Sequence, residues 1–78
     1  MIKPISALYG WFNKDITVIC KDGTRCTGKM TEVDEYMNIV LQDYLLDREG
    51  DFDEGNFLII RGVYIAIVRL DLDKKDRA

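Results

Sequence analysis

Along most of this chain apolar and polar residues alternate with a period of two, in short runs separated by glycines and acids. That period puts successive side chains on opposite faces of an extended strand, so each run predicts β-structure. In Ile16 to Lys21, the residues Ile16, Val18 and Cys20 share one face. Asp22-Gly23 then supplies a tight-turn pair between two extended runs. The second run, Thr24 to Val33, carries Gly28 in its middle, where a strand glycine marks a bulge or sharp bend. Met37 to Gln42 predicts a third strand with Met37, Ile39 and Leu41 on one side. Phe57 to Arg61 and Val63 to Arg69 predict a fourth and a fifth. Only Gly62 separates them, so the chain must turn sharply there.

The pattern differs at the start. Ile5, Leu8, Tyr9 and Phe12 recur at helical spacing within Pro4 to Phe12. Proline suits a first helical turn, Gly10 weakens the helix, and Asn13 can end it. A helix this short is unstable alone and must dock on the strands.

One domain, 1–78, is expected from 78 residues. Its parts are a helix (4–12), a first strand block (14–43), an acidic stretch (44–56), a second strand block (57–70) and a charged tail (71–78). The acidic stretch reads as a long loop or as the splayed end of a hairpin. A small all-β domain is implied: a short N-terminal helix followed by a five-stranded, strongly bent antiparallel barrel. Such a barrel is rarely closed, and one or both of the Ile- and Val-rich fourth and fifth strands are expected at an open edge. Exposed apolar edges pair with other chains, and a head-to-tail pairing whose rotation closes makes a ring. Size argues the same way. A chain this short buries only about 60% of its unfolded surface, and partner subunits are a common supplement.

Composition narrows the chemistry. The net charge of −3 counts against binding nucleic acid through phosphates alone. The acidity is local, however. Asp47, Glu49, Asp51, Asp53 and Glu54 fall in one segment with only Arg48, and without that segment nine acids face ten bases. Base-directed binding stays open. There is no His and only two Cys, so a zinc site of the usual kind lacks ligands, and no cofactor is expected. Ser6 is the only serine, and no catalytic constellation is present, so no enzymatic activity is expected. The acids at 51, 53 and 54 lack the full ligand set of an EF-hand loop. Cys20 and Cys26 flank the Asp22-Gly23 turn and read first as small buried thiols. A cross-strand disulfide is the alternative, and it requires an oxidising compartment or a thermophile. No apolar run approaches the ~20 residues of a membrane span, and the N-terminus lacks a signal-peptide core, so a cytoplasmic or otherwise intracellular soluble protein is expected, with no membrane partner.

Two segments carry a resemblance. KDITVICKDGTRCTGKMTEVDEYMNIVLQD, from Lys14 to Asp43, and LIIRGVYIAIVRL, from Leu58 to Leu70, resemble the two-part signature of the Sm and Sm-like (LSm) proteins, which build RNA-binding rings. At Asp34-Glu35-Tyr36-Met37-Asn38 the family carries an Asp, an aromatic or His two residues on, then Met-Asn, and this chain matches at each place. The resemblance implies an Sm-like fold and these roles. Tyr36 stacks a base. Asn38 offers a donor and an acceptor to a uracil edge, as an amide can. Asp34 orients the Asn38 amide. Arg61 covers the other face of the base, and Gly62 lets the backbone come close. Single-stranded RNA is commonly read by such stacking and edge bonding.

Taken singly, each side chain has a plain structural alternative: Tyr36 as a turn aromatic, Asn38 bonding local backbone, Arg61 pairing with an acid. The set, in register with Gly23 and Gly28, favours the pocket. Many relatives follow Arg-Gly with Asp, Asn or Ser, whereas Val63 and Tyr64 stand here, and Tyr64 is assigned as a second stacking surface. The lack of His sets the chain apart from the bacterial Hfq branch. The expected function is a ring-forming binder of short single-stranded U-rich or A/U-rich RNA in RNA processing, stability or chaperoning. Its partners are that RNA, copies of itself through edge strands 57–61 and 63–69, and other RNA-processing proteins. The rival is a ring-forming scaffold with little RNA affinity. Ring size is open, hexamers and heptamers both being common in that family.

Overall fold

The computed structural model describes residues 8–71. Five strands follow one another: β1 (Asp15–Cys20), β2 (Arg25–Val33), β3 (Ile39–Arg48), β4 (Asp51–Ile60) and β5 (Ile65–Leu70), with a 3-10 turn at Gly62–Tyr64 before the last. They form one antiparallel sheet in the order β4-β3-β2-β1-β5. Both β4 and β5 are therefore edge strands, as the apolar composition of the two runs implies. The helix expected over 4–12 falls mostly outside the described residues. Within them, Trp11 N–H donates to the Leu8 carbonyl at 2.9 Å, and Asn13 turns the chain with a left-handed φ of 64°. Its own N–H donates to the Met30 carbonyl at 2.7 Å and so ties the entry segment to β2.

The sheet curls because β2 and β3 fall out of step. Thr27 pairs with Leu45 and Lys29 with Gln42, so Asp43 and Tyr44 together face Gly28 alone. Asp43 takes a left-handed φ of 53°. Such a bulge bends the strand and adds twist. Gly28 is needed for packing space here. A Cβ on it would lie 3.0 Å from the Gln42 carbonyl oxygen and 3.2 Å from the Tyr44 Cα. A second shift, between Met30 and Glu32, adds to the curl. Inside the bend, Ile16, Val18, Cys26, Met30, Ile39, Leu41, Ile60 and Ile65 form the core, and Leu8 packs onto it. Among the described residues no helix is long and apolar enough to cross a membrane.

The acidic stretch differs from the loop reading. β3 runs on to Arg48 and β4 starts at Asp51, so most of 44–56 is the far half of a hairpin. Glu49 and Gly50 close it, both left-handed at φ 54° and 87°, as a two-residue hairpin turn requires. Gly50 N–H donates to Asp47 Oδ1 at 2.9 Å. The stretch defeats the alternation test because acids stand opposite apolar residues: Leu45 pairs with Glu54 and Leu46 with Asp53. Further along, the Tyr44 ring crosses Gly55, whose missing side chain makes the room. At the other end of the sheet, Thr17 Oγ1 donates to the Asp71 carboxylate at 2.9 Å, fastening the end of β5 to β1.

Gly28→Ala is expected to destabilise the fold by about 1–3 kcal/mol, since backbone atoms must give way to the new methyl. Urea unfolding at fixed protein concentration reads this as a lower midpoint, and an unchanged midpoint contradicts the packing account.

Candidate nucleic-acid interface

Two turns of the same construction sit on the sheet. In the first, Gly23 N–H donates to the Cys20 carbonyl at 2.9 Å and Cys20 N–H to the Thr24 carbonyl at 2.8 Å, with Gly23 left-handed at 92°. In the second, Met37 N–H donates to the Asp34 carbonyl at 3.0 Å and Asp34 N–H to the Asn38 carbonyl at 3.1 Å. Here Met37 takes the left-handed place, at φ 64°. A three-residue hairpin loop with a left-handed third residue has this pattern. A methionine where glycine is usual carries backbone strain, and such strain gathers at functional sites.

Asp34 holds that loop. Its Oδ1 accepts from both Tyr36 N–H and Asn38 N–H at 2.9 Å, and its Oδ2 accepts from Asn38 Nδ2 at 2.9 Å. The other end of the Asn38 amide reaches across the chain: Oδ1 accepts from Gly62 N–H at 2.8 Å. These two partners fix the amide's orientation, since a backbone N–H needs an oxygen and an ionised carboxylate needs an N–H. Gly62 has to come close. A Cβ there would run into the Tyr36 carbonyl oxygen and lie 3.0 Å from the carbonyl carbons of Tyr36 and Met37.

Four of the six residues singled out by the sequence, Asp34, Tyr36, Asn38 and Gly62, thus meet at one place. Arg61 adjoins them, and its charge helps to lower the pKa of Asp34. Tyr36 is 73% exposed and Arg61 is also exposed, so neither is spent on the core. Tyr64 is set differently. Its carbonyl accepts from Lys21 N–H at 2.8 Å, which ties the 3-10 turn to the β1–β2 loop. Its side chain lines a groove of about 520 Å³ with Cys20, Leu46, Leu58, Ile60 and Arg61, which Tyr36 and Asn38 do not line. The sequence reading missed the Lys21 tie and the strained Met37. Neither has a sequence signal apart from the Asp–X–X–X–Asn spacing around the second.

The groove is chemically quiet. Both cysteines are free thiols. Burial, and then the neighbouring Cys20, push the Cys26 thiol up to about 11, so it stays protonated and unreactive at neutral pH. Among the described residues no group of three or more His, Cys, Asp or Glu is placed to hold a metal.

Comparison with known proteins gives a consistent result. The LSM domain family model matches residues 10–70. The LSM1-LSM7 complex subunit lsm1 of Schizosaccharomyces pombe is 31% identical over 75 residues, covering 88% of this chain and 53% of that protein. The chain therefore spans about half the length of that relative. The SmAP (LSm) protein of Methanococcus vannielii superposes with a TM-score of 0.77 at 30% identity, over 86% of this chain and 93% of the other. The Pyrococcus abyssii Sm protein, solved in complex with a uridine heptamer, has the same fold, with a TM-score of 0.81 at 24% identity over 90% of this chain and all of that one.

The Asp34 carboxyl is held below its ordinary value first by the Asn38 side-chain amide and then by the Asn38 backbone N–H; burial opposes them, and the Tyr36 N–H and the Arg61 charge add smaller contributions. A folded-state value below the unfolded one means that the clasp is complete above the unfolded value and is lost as acid carries the pH down through the folded one. An NMR titration should place the Asp34 midpoint below 3.8, with the Asn38 side-chain amide signals moving at the same midpoint. A midpoint at or above 3.8 contradicts the geometry.

Proposed function

This chain belongs to the LSM domain family, and from that premise we propose that it assembles head-to-tail into a closed ring and holds short single-stranded RNA, U-rich or A/U-rich, one base per subunit. The ring acts by binding, in RNA processing, stability or chaperoning, and carries out no reaction of its own. Single-stranded RNA is its ligand, copies of itself are its structural partners, and other RNA-processing proteins its further ones.

The observation that carries the reading is the Asn38 clasp beside an exposed Tyr36 and an exposed Arg61. An aromatic ring left in water next to a fixed amide and a guanidinium is poorly explained by packing. It is well suited to a base, with stacking below, a cation above and an amide at the edge. Base–aromatic stacking contributes about 1–3 kcal/mol per base, so one pocket is weak. A ring gains by effective concentration, because later bases bind intramolecularly.

The open edges support assembly. β4 presents Phe57 and Ile59 to solvent, and β5 presents Ile67. Edge strands of this composition pair with further strands. The five acids of residues 47–54 do not oppose an RNA at the clasp, because they lie along the distal hairpin of β3 and β4, away from Asp34–Asn38 and Gly62.

Titration with oligo(U), oligo(A) and oligo(C) at moderate salt tests the RNA reading. The wild-type chain should bind at least one of them. Asn38→Ala should weaken binding by about tenfold, the order expected for a lost hydrogen-bonding side chain, and leave the assembly's mass unchanged. No affinity for any of the three favours the scaffold rival. Native mass spectrometry tests the ring: a single closed multiple of the chain mass is expected, and a monomer at micromolar concentration overturns the assembly.

A further inference from the structure

The distal half of the β3–β4 hairpin takes no part in the clasp, and it carries an apolar patch. Cross-strand partners point their side chains to one side of a sheet, and residues two apart on a strand share that side. The pairs Leu45–Glu54 and Asp47–Phe52 therefore lie on one face of the hairpin. Thr27 and Arg25 of β2 continue it, opposite Leu45 and Asp47. This face points away from the core, since Cys26 and Leu46, on the other side, belong to the core or pack against it. On the outer face Phe52 is 65% exposed and Leu45 42%. They stand diagonally across the two strands, close enough for one apolar group to cover both.

Pairing between copies does not account for this patch. β4 has ten residues and β5 six, and the pairing proposed above uses 57–61, so residues 51–54 lie beyond the joint on an open edge. Edge protection does not account for it either. Charges along an edge strand keep stray strands away, and the acids at 51, 53 and 54 suffice for that. A phenylalanine in water among them works against it. Charge selects what covers the patch. Residues 47–54 hold five acids and one base, Arg48, whose Nε donates to the Thr24 hydroxyl. Asp47 accepts from Gly50 N–H and Asp53 from the Tyr44 hydroxyl, whereas among the described residues the carboxylates of Glu49, Asp51 and Glu54 have no such partner. A surface of this sign repels nucleic acid and attracts a basic chain.

We infer that the distal half of the β3–β4 hairpin docks a basic, extended segment of a partner protein, one in which lysines or arginines alternate with apolar residues. The segment adds to the free edge of β4 at 51–54. Main-chain bonds supply affinity in this mode, and alternate side chains supply specificity. Its apolar side chains fall on the outer face, where they cover Phe52 and reach Leu45. Its cations fall on the other face, beside Asp51 and Asp53, which point there because they alternate with Phe52 and Glu54 along β4. The alternation of the strand thus matches the alternation required of its partner. The surface is separate from the Asn38 clasp, and the inference does not depend on RNA binding.

The test uses the full chain and short fluorescein-labelled peptides in which Lys alternates with Val, Lys with Ser, or Glu with Val. Affinities are read by fluorescence anisotropy at one salt concentration, because salt screens exposed charges. The Lys–Val peptide should bind, the Lys–Ser peptide should bind about fivefold or more weakly for want of apolar contact, and the Glu–Val peptide should not bind. Phe52→Ser should weaken the Lys–Val peptide by about tenfold while the native mass and the response to a uridine heptamer stay as in the wild type. Absence of Lys–Val binding overturns the inference. So does equal binding of the Lys–Val and Lys–Ser peptides, or an unchanged affinity in Phe52→Ser, since diffuse charge attraction would then explain the result. A native mass altered by Phe52→Ser assigns the patch to a junction between copies and overturns it as well. A wild-type chain that ignores the uridine heptamer but binds the Lys–Val peptide through Phe52 counts against the RNA reading and supports this one.

Discussion

The hydrogen bond from Gly62 N–H to Asn38 Oδ1 joins two parts of the chain that are 24 residues apart in sequence, and the geometry of the site depends on it. It draws the turn after β4 onto the loop between β2 and β3. It also fixes the Asn38 amide, because the other end is already held by Asp34. A free asparagine on a loop samples several rotamers and loses that freedom on binding. Here that ordering has already occurred within the fold, so less of the binding energy is spent on it. The same bond accounts for the glycine at 62. Any side chain would strike the Tyr36 backbone and push the two loops apart.

The sheet exists in the shape that makes this contact. Gly28 and the left-handed Asp43 bend β2 and β3, so that residues of β1, β3 and β4 share one core. The bend encloses a core of Ile, Val, Met and Leu and brings residues 34–38 and 61–62 together at one rim. It leaves β4 and β5 at opposite borders of the sheet, each with unpaired backbone groups and apolar side chains in water. One curvature thus shapes both the candidate rim and the borders that other copies would cover. The five acids of residues 47–54 meanwhile lie along the distal half of the β3–β4 hairpin, and the rim carries Arg61 together with Glu35 and the Asn38-bonded Asp34.

Much of this was legible before any coordinates. Period-two runs marked all five strands, Asp22-Gly23 marked the first hairpin, and Gly28 marked the bend. The distal hairpin was harder to see. Its acids stand across from leucines, so the alternation that signals a half-buried strand is missing. The Asp43 bulge was invisible for another reason: an aspartate tolerates a left-handed backbone without advertising it, whereas a glycine would have drawn attention. The clasp partners were named from residue types and resemblance. Which of their donors and acceptors remain for a ligand depends on distances that no spacing encodes. Tyr64 illustrates the same limit, since being two residues from Gly62 did not determine that its side chain would line a groove apart from Tyr36.

The most direct measurement follows the two Nδ2 protons of Asn38 and the Gly62 amide by NMR as single-stranded RNA is added. The account predicts that one Nδ2 proton shifts strongly as it meets the base edge. The Nδ2 proton on Asp34 and the Gly62 N–H should stay near their starting positions, because the clasp is already formed. A large shift of the Gly62 N–H would show that the clasp forms only on binding. Silence at both Nδ2 protons, with the changes falling on the distal hairpin, would show that the RNA lies elsewhere. Either result would contradict a preformed site at Asn38.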